Sequence, residues 1–308
     1  MWKFKKTALL LICVFCAFVT PADATGADKI VIAIQPTSTP EQLSSQAKEL
    51  EFFLEQRLGV DVEIFFPTSY AGVIEALRFG HAQAAFMGAW PAVMAEQHAQ
   101  AEVILAEVRD VMVGDEKAEK PYYFSYWVVL KESPLADLKE LKGKRAAFPS
   151  QLSSSGYLAP LSKLVADGFV IKGEGEANPK DFFAEILFAG GYAQAYEALK
   201  AGQVDVSVIA GDVPEKLYRE VLDNTRILAE QGPIPSHVVV VSKEMDAAVK
   251  TKLKDALLEL GDDSHRALMR KFVSGIFVRF ETADAGHLKS LEGMLELTGF
   301  QFKEKTSK

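Results

Sequence analysis

Tyr122-Tyr123-Phe124-Ser125-Tyr126-Trp127-Val128-Val129-Leu130 decides the architecture of this chain. An aromatic and β-branched run of this kind predicts a long strand. It interrupts an alternation of short apolar strands and amphipathic helices that resumes on its far side. Upstream, Lys29–Ile34 (KIVIAI) reads as a buried parallel strand. A turn at Pro36–Pro40 follows, then a helix over Glu41–Leu58 with Leu43, Ala47, Leu50, Leu54 and Leu58 on one face, closed by Gly59. Val60–Phe66 is the next strand, and Ser69–Phe79 a helix closed by Gly80. Ala84–Met87 is a third strand, Gly88–Pro91 leads into a helix through Gln97, and Val103–Val108 is a fourth strand.

Downstream of the aromatic run the same rhythm returns. Arg145–Phe148, Glu185–Phe188 and Val204–Ile209 read as strands, with helices after Ser155 and over Tyr192–Ala201. Pro233-Ile234-Pro235-Ser236-His237 followed by Val238–Val241 reads as a return crossing, and the chain from Asp246 onward as amphipathic helix packed on the first half. A βαβα alternation implies mostly parallel sheets covered by helices on both faces. The expected fold is therefore α/β and bilobed: two mostly parallel, doubly wound sheets joined by two crossing strands. The expected divisions are an export signal at 1–24, a first lobe at 25–128 plus 238–308, and a second lobe at 129–237. Ligands of open α/β sheets sit beyond the carboxyl ends of the strands. The turns at Pro36–Thr39, Thr68–Tyr70, Gly88–Pro91 and Ser153–Gly156 all belong to that edge.

The N-terminus carries Lys3, Lys5 and Lys6, an apolar run from Thr7 to Val19, and the small-x-small site Ala22-Asp23-Ala24. This is the pattern of a cleaved secretory signal, and the run is too short for a comfortable membrane span. Cys13 and Cys16, the two cysteines of the chain, fall inside it, so the expected mature protein has neither disulfide nor thiol. Removing three lysines and one aspartate takes the net charge from −8 to −10. An acidic balance argues against nucleic acid as a partner. The five histidines are scattered without metal-ligand spacing, and there is no GxSxG elbow or P-loop, so neither catalysis, nor a metal, nor a cofactor is expected.

Pro149-Ser150-Gln151-Leu152-Ser153-Ser154-Ser155-Gly156-Tyr157-Leu158-Ala159-Pro160 closes one strand and opens one helix. Unpaired N–H groups and the positive end of the helix dipole meet there. With three hydroxyls and a glycine that admits a close approach, the turn suits a small oxyanion. An ordinary serine N-cap with spare loop serines explains the same residues.

Three stretches in order carry a family resemblance: Ser69-Tyr70-Ala71-Gly72-Val73-Ile74-Glu75-Ala76-Leu77-Arg78-Phe79-Gly80, Ala85-Phe86-Met87-Gly88, and Ser153-Ser154-Ser155-Gly156-Tyr157. Gly202-Gln203-Val204-Asp205-Val206 and Ile234-Pro235 add to them. The chain resembles the PhnD-like periplasmic substrate-binding proteins of phosphonate, phosphite and phosphate ABC importers. That resemblance implies a closing periplasmic receptor of the type II-like class, without catalysis, acting as a monomer and delivering a small phosphorus oxyanion or short phosphonate to an ABC permease that it meets transiently. It implies that Tyr70 donates its phenol to a phosphorus oxygen from the first lobe and that Ser153, Ser154 and Ser155 bind from the second.

Four further positions depart from or extend the pattern. Met87 stands where relatives often carry an aromatic, with Trp90 nearby as a substitute wall or as core. Tyr192, after Gly191, stands where a histidine is usual. Asp212 aligns with a carboxylate that holds a ligand ammonium, and His237 replaces a second such carboxylate. That histidine would titrate near neutrality. The departures imply a ligand without an amino group. Presentation to a membrane sensor kinase and capture of another oxyanion are the alternative uses of the same fold.

Overall fold

A computed structural model describes residues 29–35, 40–67, 69–151, 153–272 and 275–300. The expected signal at 1–24, the Pro36–Thr39 turn and Thr68 lie outside the described residues. In chain order the first elements are β1 (Lys29–Ile34), α1 (Pro40–Leu58), β2 (Asp61–Phe65), α2 (Tyr70–Arg78), β3 (Ala84–Met87), α3 (Ala89–Ala99), β4 (Glu102–Val113), β5 (Glu116–Lys120) and β6 (Tyr122–Leu130). Then come β7 (Arg145–Phe148), a π-type turn over Ser154–Leu158, α4 (Ala159–Ala166), β8 (Glu185–Phe188), α5 (Tyr192–Lys200), β9 (Ser207–Ala210) and α6 (Glu215–Asn224). The remainder is β10 (Thr225–Pro235), β11 (Val238–Val241), α7 (Ala247–Glu259), α8 (Asp263–Phe272), β12 (Phe277–Thr282) and α9 (Lys289–Thr298).

The first sheet runs β12-β4-β11-β3-β1-β2, with β5 on β4. Strands β1, β2 and β3 are parallel, whereas β11 lies antiparallel between β3 and β4. The four N-terminal strands therefore share one direction, as the βα rhythm implies, but the sheet is mixed rather than mostly parallel. The reason is the return crossing: it arrives from the other half pointing backward and takes the central gap. The second half pairs β10, β6 and β9 antiparallel. A parallel pair, β7–β8, joins that sheet through the Ala146–Val206 bridge. All of β6 pairs within the second half, so the chain changes sheets at Pro121, before the aromatic strand and not inside it.

Side-chain alternation sorts the strands into layers. In β1, Ile30, Ile32 and Ile34 enter the core beneath α1 and α7, with Leu50, Leu54, Leu253 and Leu257, while Ala33 faces α2 and α3. In β6, Trp127 and Val129 enter an outer core with Phe148, Leu161 and Phe183, while Tyr126 and Val128 face inward. The inward cluster is continuous between the halves, from Val73 and Val93 through Tyr126 to Leu158 and Leu199. The C-terminal chain divides: α7 and α8 pack on α1, but α9 lies against α4 and β10 of the second half. This corrects the expectation that everything beyond Asp246 sits on the first half. Leu288 and Leu291 enter the inward cluster and draw the last helix across.

Candidate functional site

Strand β7 ends at Phe148, and the chain turns through Pro149 into the serine turn. Ser153 is the N-cap: its Oγ accepts from the Gly156 N–H at 2.9 Å. The capping role that the sequence left open is thus filled. A Cβ at Gly156 would lie 2.1 Å from Pro149 Cγ and 2.8 Å from Ser153 Oγ, so the missing side chain makes room for the turn itself.

Ser155 is buried. Its hydroxyl lies 2.8 Å from the Tyr192 hydroxyl, at the first residue of α5, and receives the Tyr123 phenol at 3.3 Å. Both phenols are held protonated, Tyr192 and Tyr123 alike, first by burial and then by the nearby charge of Asp212. Protonated phenols beside a serine form a set of donors that can be redirected onto an anion. Ser154 is half-buried in the same turn.

Asp212 follows β9. It accepts from Arg109 Nη1 at 3.3 Å, and Arg109 Nε donates to Glu107 Oε2 at 2.7 Å. Glu107 and Arg109 alternate on one face of β4 and are almost fully buried. Burial raises the Asp212 carboxyl above its ordinary range, an effect that Arg109 opposes. Asp212 is therefore already engaged by a guanidinium.

On the first-half side, Met87 ends β3, fully buried. The Gly88 N–H, at the N-terminal end of α3, donates to Gln35 Oε1 at 2.8 Å. A Cβ at Gly88 would lie 3.5 Å from both Gln35 Oε1 and His237 Nε2, so β1, the start of α3 and the return crossing meet there. His237 is pushed well below the usual histidine range, by burial first and by Arg109 second. The expectation that it titrates near neutrality is corrected: it is neutral, with one N–H to donate. Ser69 caps α2 by accepting from Gly72 N–H at 3.1 Å, and Tyr70 opens that helix. The Tyr70 side chain lies outside what the structure describes.

Ser153, Ser155, Tyr192 and Asp212 thus fall into one connected cluster through Tyr123, and His237 and Met87 border it through Arg109 and Gly88. Tyr123, Glu107, Arg109 and Gln35 were not anticipated. One signal was available: two opposite charges two residues apart inside an otherwise apolar strand, Glu107 and Arg109, must be paired on one face.

A family profile described as the periplasmic substrate-binding protein of phosphonate ABC transporters matches residues 32–288. The chain belongs to this family. This substrate-binding protein is 27% identical over 250 residues to the phosphonates-binding periplasmic protein of Escherichia coli, covering 79% of this chain and 69% of that one. It is 30% identical over 179 residues to the phosphate-import protein PhnD of Mycolicibacterium smegmatis, covering 58% and 54% of the two chains. The fold is similar to that of PhnD1 from Prochlorococcus marinus in complex with methylphosphonate, with a TM-score of 0.63, 18% identity, and coverage of 87% and 97%. The family is a transport class and not an enzyme class.

Proposed function

We propose that this substrate-binding protein captures a small phosphorus oxyanion or short phosphonate between its halves, after export through a cleaved signal peptide, and presents it to an ABC permease. The observation that carries the reading is the trio of hydroxyls at Ser155, Tyr192 and Tyr123, two of them phenols kept protonated by burial. Neutral donors can surround an anion without a formal counter-charge when they are fixed in place and shielded from water. Tyr70, Ser153 and Ser154 join them as proposed ligand contacts, with Met87 as a wall and His237 as a neutral donor. The ligand names of the relatives point to the same class: phosphonates, phosphate and methylphosphonate.

Asp212 narrows the choice. Its carboxylate is tied to Arg109, and His237 has no negative charge, so neither offers a ligand ammonium a free anionic partner. The expected order is methylphosphonate, phosphite or phosphate above 2-aminoethylphosphonate. A thermal-shift panel of these ligands with sulfate tests it. A ligand well above its dissociation constant raises the melting temperature, by about 2.7 kcal/mol of stabilisation at a hundredfold excess. No shift with any phosphorus compound ends the proposal, and a largest shift with 2-aminoethylphosphonate reverses the role assigned to Asp212.

A further inference from the structure

Phe300 lies between two aromatic rings from different halves. It stacks on Trp90 with centroids 5.8 Å apart and planes 4° apart, and on Tyr157 at 5.6 Å and 13°. Trp90 stands two residues beyond Gly88 in the first turn of α3. Tyr157 stands two residues beyond Ser155 in the serine turn. One ring therefore touches both of the turns that border the proposed ligand site.

The two contacts are not equivalent. Phe300 follows α9, and the end of α9 is fastened to the second half. The Thr298 carbonyl accepts from Ala177 N–H at 2.7 Å, and the Glu296 carbonyl accepts from Lys172 Nζ at 2.8 Å. Gly299 adopts φ +70°, and a Cβ there would lie 2.8 Å from the Gly175 carbonyl oxygen. Tyr157 is itself wedged against Phe148 and Phe188. Phe300 and Tyr157 thus form one unit, and the face against Trp90 is the separable one. Next to that contact the α3–α9 seam opens into a cavity of about 660 Å³, lined by Met94, Gln97, Lys172, Glu292 and Phe300 itself. The stack stands at the edge of an open groove, on the rim of the inward cluster to which Trp90, Val93, Met94, Leu291 and Leu295 belong.

We infer that Phe300 is a positioning residue for ligand capture: docking its ring on Trp90 fixes the spacing between the Gly88 and Ser155 turns. It touches no ligand. It acts through the aromatic residues that follow each turn. This inference rests on the reading that the ligand lies between the halves, but two of its readouts need no ligand.

Phe300→Ala, Phe300→Leu and Phe300→Tyr should be compared with the wild type. The Leu variant keeps apolar volume without a stacking face, and the Tyr variant restores the face. Beyond residue 24 the chain has two tryptophans, Trp90 and Trp127, and Trp127 is fully buried in the second half among Phe148 and Phe183. A red shift of tryptophan emission in the Ala and Leu variants therefore reports Trp90. The Ala and Leu variants should show that shift, a larger radius of gyration in small-angle scattering, and about tenfold weaker methylphosphonate binding, mostly through faster release. Phe300→Tyr should recover all three.

Wild-type emission, radius and affinity in a folded Phe300→Leu protein would overturn the inference, as would a Tyr variant as weak as the Ala variant. If the wild type itself binds neither methylphosphonate nor phosphate, the ligand reading has failed, while emission and scattering still decide the role of Phe300.

Discussion

At the scale of single residues, Ser155 bears the most consequence. Its one hydroxyl is shared by Tyr192 and Tyr123, so removing it takes one partner from each of two phenols and one donor from the candidate site. Ser155→Ala should weaken methylphosphonate binding by about 1–3 kcal/mol, the cost of a hydrogen bond to a charged group. Titration calorimetry checks this, and an unchanged dissociation constant removes Ser155 from the site. His237 makes a prediction in pH. Its folded pKa lies well below the ordinary 6.5 because its neutral form is favoured by burial and by Arg109. The unfolded chain therefore takes up the proton first. The His237 contribution to stability should be flat above about pH 6.5 and fall as the pH drops below it, until the folded histidine also protonates. In urea titrations across that range, His237→Gln should show a shallower decline than the wild type.

At the scale of elements, the serine turn is the most exacting piece. Gly156 is packed against Pro149 and its amide is taken by Ser153, so a methyl group there has no room. Gly156→Ala should cost about 1–3 kcal/mol by overpacking, whereas Ser153→Ala should cost about 1 kcal/mol through loss of the cap. Denaturant melts that rank these the other way would show that the turn relaxes around the methyl. Elements were legible where the residues are apolar and bounded by turn formers. The runs Lys29–Ile34, Ala84–Met87, Tyr122–Leu130, Arg145–Phe148, Glu185–Phe188 and Val238–Val241 are strands with the bounds read from the sequence. Thr225–Pro235 was hidden except at its end, because TRILAEQGPIP carries Gly, Pro and alternating polar residues that read as loop. The charged β5, EKAEK, and the C-terminal β12 are strands because β4 offers them hydrogen bonds, which is a tertiary cause. In the candidate site, the serines were legible from their place at a strand–helix turn and Tyr192 from the family resemblance alone. Tyr123 and Arg109 were not, since only the folding of β6 and β4 brings them to it.

At the scale of the molecule, Arg109 on β4 reaches Asp212 after β9, so one guanidinium ties the first sheet to the second half. With Glu107 it forms a buried triad, and removing its centre leaves two buried carboxylates facing each other. Arg109→Ala should cost about 3–5 kcal/mol, measured as a loss of melting temperature that added ligand only partly restores. Two halves joined by crossings were readable from the break in βα rhythm. The direction of β11 was not, because no local pattern states which gap a returning strand will fill.

That late strand has a consequence for how the chain assembles. Val238–Val241 supplies the hydrogen bonds between β3 and β4, more than a hundred residues after the first of them has been made, so β4 has no partner among the strands that precede it. Non-local pairing of this kind slows folding because loop closure must come before the reward. The sheet built from β1 to β4 should therefore stay unfinished until the intervening half and β11 have joined it. A fragment ending at Pro121 should protect the amide hydrogens of β3 and β4 less than one extended through Val241.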